Sequence, residues 1–291
     1  MKALVFGGGW LGHLISEHFD CKVSQLDILD SEAVGAQLLD IRPEVVFNAA
    51  GKCGIPNIDW CKETEGNRRL TKYVNAYAPA ILYHVVEGVS QRLQRPMMFV
   101  HLSSGCLWEW GTDITEDRKP EPPSYYSWTK AEGEARLPAE RCLIVRFRMP
   151  TSGVPHARNL ITKLSGYNEI LDAQNSITIV KDLLTTLETL VQSRACGVYN
   201  VVNSGSISPS EIMQMYLEIV DKDRCFRITT VEDLKQRGII KDGRSNVTLS
   251  TEKLKGAGIV LPEIRERVRE CLVEYAKQIK ADSQTPGTET P

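Results

Sequence analysis

The sequence predicts an α/β protein, a doubly wound parallel sheet followed by a smaller α/β lobe. Three observations carry that expectation. Short apolar runs of strand length alternate with stretches of helical periodicity through the first half of the chain. A glycine-rich turn separates the first run from the first helical stretch. After Pro150 the alternation loosens into shorter elements.

Taken in order, residues 3–6, 45–48, 99–102 and 143–147 are short apolar runs, interrupted only by Asn48, His101 and Arg146. A strand covered by helices on both faces has that character, because neither side alternates with polar residues. A further strand is expected at 21–25. Helical periodicity marks 10–19, 31–39, 70–89 and 128–137. Between the last two strands of this half, residues 118–123 hold Pro120, Pro122 and Pro123 and form a loop that delivers Tyr126 onto a helix start. Beyond residue 150, strand candidates at 176–180 and 197–202 mix with helices at 208–220 and 262–281, as in a lobe that closes over a ligand. The expected division is a dinucleotide-binding domain over 1–150, a substrate-binding lobe over 151–282 and a disordered polar tail over 283–291. No internal repeat is present.

Composition narrows the function classes. At 291 residues and 42% hydrophobic, the chain can bury a full core, in one large or two modest domains. Lys plus Arg is 35 against Asp plus Glu 37, so no basic excess points to nucleic acid. The cysteines at 21, 53, 61, 106, 142, 196, 225 and 271 form no C-x-x-C pair. Zinc spacing is absent, and a chain of this size needs no disulfide framework, so reduced thiols in the cytoplasm are expected. The opening residues superficially resemble a signal peptide, but Gly7, Gly8, Gly9 and Gly12 break the apolar run and no small-residue cleavage site follows. No apolar stretch approaches the roughly 20 residues of a membrane helix.

Chemistry is concentrated in three clusters. Gly7-x-Gly9-x-x-Gly12 follows the first strand and opens the first helix, the context of a phosphate-cradling Rossmann-type turn. Gly9 lets the backbone approach a pyrophosphate, Gly12 lets helix and strand pack closely, and the helix start at Trp10 and Leu11 offers amides and positive dipole. NADPH or NADH is the expected cofactor. The second strand ends without an acid, and Asp27, about 20 residues past Gly7, stands where a carboxylate could meet the ribose or lie beside the adenine. No arginine awaits a 2′-phosphate, although Lys22 is near. Tyr126 and Lys130 are four residues apart, so on a helix they share a face, and an ammonium beside a phenol lowers its pKa toward that of a usable acid. Ser104, at the end of an apolar strand, can polarise a carbonyl.

With these residues in place, the chain resembles the extended short-chain dehydrogenase/reductases, through the phosphate loop, Asn48-Ala49-Ala50-Gly51, Ser104 and Tyr126/Lys130. Within them it is similar to the bifunctional nucleotide-rhamnose synthases, which act as 3,5-epimerase and 4-reductase on a nucleotide-linked 4-keto-6-deoxyglucose and are related to the dTDP-4-dehydrorhamnose reductases. That likeness rests on Pro56-Asn57-Ile58-Asp59-Trp60-Cys61, Gly105-Cys106-Leu107-Trp108-Glu109, Arg146-Phe147-Arg148-Met149-Pro150, Arg158-Asn159-Leu160-Ile161-Thr162-Lys163 and Arg244-Ser245-Asn246, over roughly residues 2 to 280.

The resemblance implies that Cys106 and Lys163 are an epimerase acid/base pair and that Ala49 and Ala50 line the cofactor. Asn159, Arg244 and Asn246 are expected at the nucleotide or diphosphate, and a homodimer through two helices is the family expectation. Sugar-nucleotide 4,6-dehydratases carry Asp-Glu where this chain has Gly105-Cys106. Plain 4-reductases of the rhamnose pathway lack the cysteine, and fucose-forming relatives place a histidine where Lys163 stands, with His156 close by here. Two departures are visible: the phosphate loop is one residue shorter than the family's usual form, and about three residues are added between Cys61 and Asn75. The rival readings are a single-function 4-keto-sugar reductase and a non-catalytic dinucleotide-binding regulatory subunit, like that of methionine adenosyltransferase.

Overall fold

The computed structural model describes residues 1–55 and 57–284. β1 (Ala3–Phe6), α1 (Trp10–His18), β2 (Lys22–Ser24), α2 (Ser31–Ile41) and β3 (Val45–Asn48) come first. Next, α3 (Trp60–Glu63) and α4 (Glu65–Lys72) lead through a π-helical turn, Tyr73–Tyr77, into α5 (Ala78–Leu93). β4 (Met98–Leu102), β5 (Trp110–Ile114), α6 (Tyr125–Ala135), β6 (Leu143–Arg146), α7 (Leu160–Ser165), β7 (Glu169–Leu171), α8 (Val180–Gln192) and β8 (Gly197–Asn200) follow. The chain ends with α9 (Pro209–Ile219), β9 (Arg227–Thr229), α10 (Val231–Gln236), β10 (Asn246–Leu249), α11 (Glu252–Gly256) and α12 (Ile264–Gln284).

The expected sheet forms: six parallel strands in the order β2-β1-β3-β4-β6-β8. The strand order reverses direction between β1 and β3, and that switch point is where open α/β sheets bind ligands, at the carboxyl ends of the strands. Period-two packing builds a core on each face. Leu4, Phe6, Val46 and Phe99 meet Val34 and Leu38 of α2 and Leu82 and Val86 of α5. Val5, Phe47 and Val100 meet Ile15 of α1 and Leu183 and Leu187 of α8. Each such side chain, fully buried, contributes about 1.5–3 kcal/mol. A third core joins α7, β7, α9 and α12 through Ile161, Ile170, Ile212 and Leu272. β5 pairs with β10 and β7 with β9, both in parallel.

The second half departs from expectation in three places. Residues 176–179 are not a strand; they make isolated bridges and bond to several loops, with Thr178 N donating to Arg148 O (2.8 Å) and Ser176 N to Val247 O (3.0 Å). Their unbroken burial comes from lying between layers, and Val180 already begins α8. The strand expected at 197–202 is real at Gly197–Asn200, but it pairs with β6 as the sixth strand of the main sheet rather than in the smaller lobe. α12 runs to Gln284, so 283 and 284 are helical rather than part of a tail; residues 285–291 lie outside the described residues, as does Pro56. No helix among the described residues is long and apolar enough to cross a membrane.

Candidate active site

The phosphate loop is shaped by contacts that exclude side chains. Gly7 has φ +106°, and a Cβ there would lie 2.4 Å from Ala50 N. A Cβ on Gly12 would lie 1.9 Å from the Gly7 carbonyl oxygen. Both glycines are therefore required by the fold. Gly9 differs, since a Cβ there would meet nothing within 4 Å. Gly9 is also the N-cap of α1, and no side chain caps that helix, so its first amides are available to a phosphate. Leu11 packs on the sheet core, and Trp10 stacks on His156 with ring centroids 4.9 Å apart and planes 11° from parallel. Ala49 N donates to Phe6 O (2.8 Å) and Ala50 N to Asn48 Oδ1 (3.2 Å), which holds the loop after β3 beside the glycines. Asp27 is exposed and its Oδ1 accepts from Leu29 N (3.0 Å) in the turn before α2, beyond the end of β2.

Ser124 caps α6, its Oγ accepting from Ser127 N (3.1 Å), and so fixes Tyr126 in the first turn with Lys130 one turn on. Ser104, 5% exposed beyond β4, accepts from Cys106 N (3.1 Å) and hydrogen-bonds the Tyr126 phenol. Lys130, 4% exposed, donates from Nζ to Leu102 O (3.0 Å). Burial lowers Lys130 to about 8, and the neighbouring Glu134 carboxylate and Cys53 oppose that fall. The expectation that Lys130 lowers the phenol is not met. Burial, followed by the thiols of Cys53 and Cys106, pushes Tyr126 upward, and the Ser104 hydrogen bond pulls against it. Tyr126 thus rests protonated, as a proton donor must. Behind Lys130, Glu134 takes a bidentate pair from Arg146 (Nε 3.0 Å, Nη2 2.7 Å) and a hydrogen bond from Ser103, all buried.

A second set closes on the same place from α7 and the loop before it. Asn159 caps α7 through Oδ1 and Ile161 N (3.2 Å), which sets Lys163 in the last turn. Burial lowers the Lys163 ammonium; Cys53 opposes this and Arg158 adds to it. The Cys53 thiol thus acts on both Tyr126 and Lys163, and it accepts from Arg158 Nη1 at 3.0 Å. Sequence reasoning missed Cys53 and Arg158. A signal for Cys53 exists in its position five residues past Asn48, on the loop beside the phosphate turn. That loop is clamped by Asn75 in the π-helical turn: Asn75 Oδ1 accepts from Lys52 N and its Nδ2 donates to Lys52 O, both at 2.8 Å. π-helical turns such as Tyr73–Tyr77 are frequent at functional sites.

Two of the three expected nucleotide contacts are engaged elsewhere, and the third, Asn246, keeps an unpartnered amide nitrogen. Asn159 Nδ2 donates to Ser152 O (2.7 Å) and Val154 O (2.9 Å), and its side chain is fully buried. Arg244 makes a two-point pair with Asp59 (3.2 and 3.0 Å), joining the 57–61 motif to the loop before β10. Asn246 is buried in β10; its Nδ2 has no hydrogen-bond partner. His156 lies against the phosphate loop, with Nδ1 accepting from Arg158 N (3.0 Å). No group of three or more metal-ligating side chains occurs among the described residues, and the cysteines are free thiols.

Comparison with known proteins places this geometry. The family described as the RmlD substrate binding domain matches residues 13–277. The chain belongs to that family. A bifunctional dTDP-4-dehydrorhamnose 3,5-epimerase/dTDP-4-dehydrorhamnose reductase of Arabidopsis thaliana is 29% identical, over 94% of this chain and 91% of the plant protein. A trifunctional UDP-glucose 4,6-dehydratase/UDP-4-keto-6-deoxy-D-glucose 3,5-epimerase/UDP-4-keto-L-rhamnose-reductase of the same plant is 30% identical over 94% of this chain, which spans 42% of that longer protein. Among solved structures, the L780 UDP-rhamnose synthase of Acanthamoeba polyphaga mimivirus superposes with a TM-score of 0.84 at 26% identity, covering 94% of this chain and 99% of the viral one. The RmlD family match begins at residue 13, just past the shortened glycine turn.

Proposed function

We propose that this RmlD-family chain is an NAD(P)H-dependent oxidoreductase that acts as 3,5-epimerase and 4-reductase on a UDP- or dTDP-linked 4-keto-6-deoxyglucose, giving a nucleotide-L-rhamnose. One observation carries the reading: the loop leading into α7 and Lys163 stacks on the phosphate loop through His156 and Trp10 and holds the loop after β3 through Arg158, at Cys53 Sγ (3.0 Å) and Gly54 O (2.9 Å), which supports a single site for the reductive and epimerase sets. The relatives from plant and virus carry names of the same activity.

The glycine loop fits a dinucleotide. Gly9 faces open space at an uncapped helix start, while Gly7 and Gly12 are closed by backbone. Trp10, Leu11, Ala49, Ala50 and Lys130 would line it, and Asp27, turned into its own loop, is a poor ribose ligand. Bound there, a reduced nicotinamide supplies hydride to the C4 carbonyl carbon. Ser104 polarises the C4 oxygen and Tyr126 gives it the phenolic proton. Lys130, one turn along α6, holds a buried positive charge on Leu102 O at the same site. Before reduction, the C4 ketone acidifies the hydrogens on C3 and C5. Lys163, its ammonium lowered by burial, serves as base on one face, and Cys106 serves as acid on the other. Ser104 and Tyr126 stabilise the enolate through the same oxygen. Within residues 151–282 the elements outside the main sheet, α7, β7, α9 and α12, form the substrate-binding part in this scheme, a homodimer through two helices is expected, and the unpaired cysteines suit a cytoplasmic location.

The test is oxidation of NADPH and NADH with dTDP- and UDP-4-keto-6-deoxyglucose, with NMR of the product sugar. A 6-deoxy-L-manno product establishes both activities and identifies nucleotide and coenzyme. Tyr126→Phe abolishes reduction, and Cys106→Ser blocks the manno-configured product. Formation of that product at the normal rate by the serine variant overturns the epimerase assignment.

A further inference from the structure

Two arginines in the 146–150 motif are buried in opposite ways. Arg146 pairs with Glu134. Arg148 is 1% exposed, yet each of its hydrogen-bond acceptors is neutral. Its Nη1 donates to Gly105 O and Ser245 Oγ, both at 2.8 Å, and its Nη2 to Ser245 O (3.0 Å) and the Asn175 side-chain oxygen. Its Nε reaches Ser176 O at 3.4 Å. A buried cation without a counter-charge is costly, and its dipolar partners offset only part of that cost.

Its placement points to where the missing negative charge belongs. The guanidinium holds the carbonyl of the Gly105–Cys106 peptide, and a Cβ on Gly105 would lie 2.5 Å from Arg148 Cγ, so the side chain runs directly beneath the turn that carries Cys106. Met149, next along, sits at φ +43°, an unfavourable region for a residue with a side chain, just after Arg148. Burial pushes the guanidinium pKa down, and Cys106 is the neighbouring group whose negative charge pushes it back up. The titratable groups coupled to Cys106 are Arg148 from beneath and Tyr126 from α6.

We propose that Arg148 is a positioning residue that supplies the counter-charge for the Cys106 thiolate formed during epimerisation. The proposal rests on the epimerase reading above. In the step concerned, the Lys163 amine takes the C5 or C3 proton, leaving an ammonium and an enolate. The Cys106 S–H bond then breaks as its proton bonds to the same carbon from the opposite face, using the enolate electron pair. The protein is left with an ammonium and a thiolate, and the turn that carries the thiolate lies above Arg148. An arginine cannot lose its own proton in this exchange, so it holds charge without taking part in transfer.

The test uses the full chain as wild type, Arg148→Gln, Arg148→Met and Arg148→Lys, each checked for a cooperative melt. Alkylation of Cys106 by iodoacetamide is followed by peptide mass spectrometry, with exposed Cys196 as the internal reference. At pH 7 the neutral variants are expected to alkylate Cys106 about tenfold more slowly, because alkylation passes through the thiolate and their side chains supply no opposite charge to it. The lysine variant stays close to wild type, and at pH 10 all four converge. Two results overturn the proposal: an unchanged Cys106-to-Cys196 ratio at pH 7 in a folded neutral variant, or slowing that persists equally at pH 10, which reports access rather than charge. Deuterium incorporation at C3 and C5 separates the two levels. If Cys106→Ser exchanges normally, the epimerase reading fails whatever the alkylation shows; if it does not exchange and Arg148→Gln exchanges as wild type, the Arg148 role alone fails.

Discussion

Lys130→Met should make the enzyme inactive and, at neutral pH, more stable. The fold holds this ammonium 4% exposed, and its pKa falls from 10.5 to about 8 through burial. At about 1.4 kcal/mol for each pH unit, the folded chain gives up about 3 kcal/mol to keep the charge. The sign follows from proton counting. Below pH 8 both folded and unfolded chains are protonated at Lys130 and the full cost is present. Between about 8 and 10.5 the unfolded chain binds more protons, so wild-type stability rises with pH. Above 10.5 the cost is gone. Methionine never carries it, but it loses the hydrogen bond to Leu102 O, worth about 1 kcal/mol. The variant should therefore exceed wild type by up to about 2 kcal/mol at pH 7 and fall below it by about 1 kcal/mol above pH 10.5. Urea denaturation of both chains at closely spaced pH values reads the difference, in which other titrations cancel. A difference that stays constant from pH 7 to 10.5 would refute the reasoning, since only a lysine with a depressed pKa makes it change sign.

Other consequences concern the neighbours of that lysine and the phosphate loop. Glu134→Gln leaves Arg146 buried without its partner and should cost about 3–5 kcal/mol of stability by denaturant titration. The same change removes the carboxylate that raises Lys130, so the alkaline limb of the reduction rate should move to lower pH in a pH–rate profile. Gly12→Ala puts a Cβ 1.9 Å from the Gly7 carbonyl oxygen, a backbone atom that can yield only by opening the turn. NADPH affinity in a fluorescence titration should drop by on the order of tenfold or more while the cooperative melt persists, because the loop's function is backbone approach to phosphate; an unchanged affinity would count against the loop as the dinucleotide site.

The main sheet and the phosphate turn were legible because their signals are local. Residues 3–6, 45–47 and 143–145 are apolar on both faces, and burial from two sides is the environment that suits them. Gly7 and Gly12 stand where one backbone segment touches another, which any glycine-specific spacing records. What failed depends on distant partners. Residues 176–179, Ser-Ile-Thr-Ile, alternate as a strand does, but their hydrogen bonds go to residues 148, 203 and 247 rather than to one neighbour. Arg244, expected at the nucleotide, is held instead by Asp59, 185 positions away. Asn159 looked like a ligand contact because polar residues in a motif suggest recognition; its amide instead satisfies a loop and a helix start. Cys53 belongs to no spacing rule, and only the fold brings it to Arg158, 105 positions away.

On the proposed reading, the choice of cation behind each acid follows from what each acid must do next. Tyr126 gives its proton to an oxygen and must recover one before the next turnover. The group behind it is a lysine whose pKa of about 8 lies near working pH, so it can hold charge and also pass a proton on. Cys106 gives its proton to carbon while Lys163 gains one in the same event, so its replacement already exists within the site as the Lys163 ammonium. A titratable lysine beneath Cys106 would compete with Lys163 for that proton. Arg148, fixed in charge and enclosed by neutral acceptors, stabilises the thiolate and leaves the proton to return from α7. Exchanging the two cations should therefore damage the two reactions differently: an arginine at 130 would hold the phenolate and slow its reprotonation, whereas a lysine at 148 would keep the thiolate charge and still support exchange at C3 and C5.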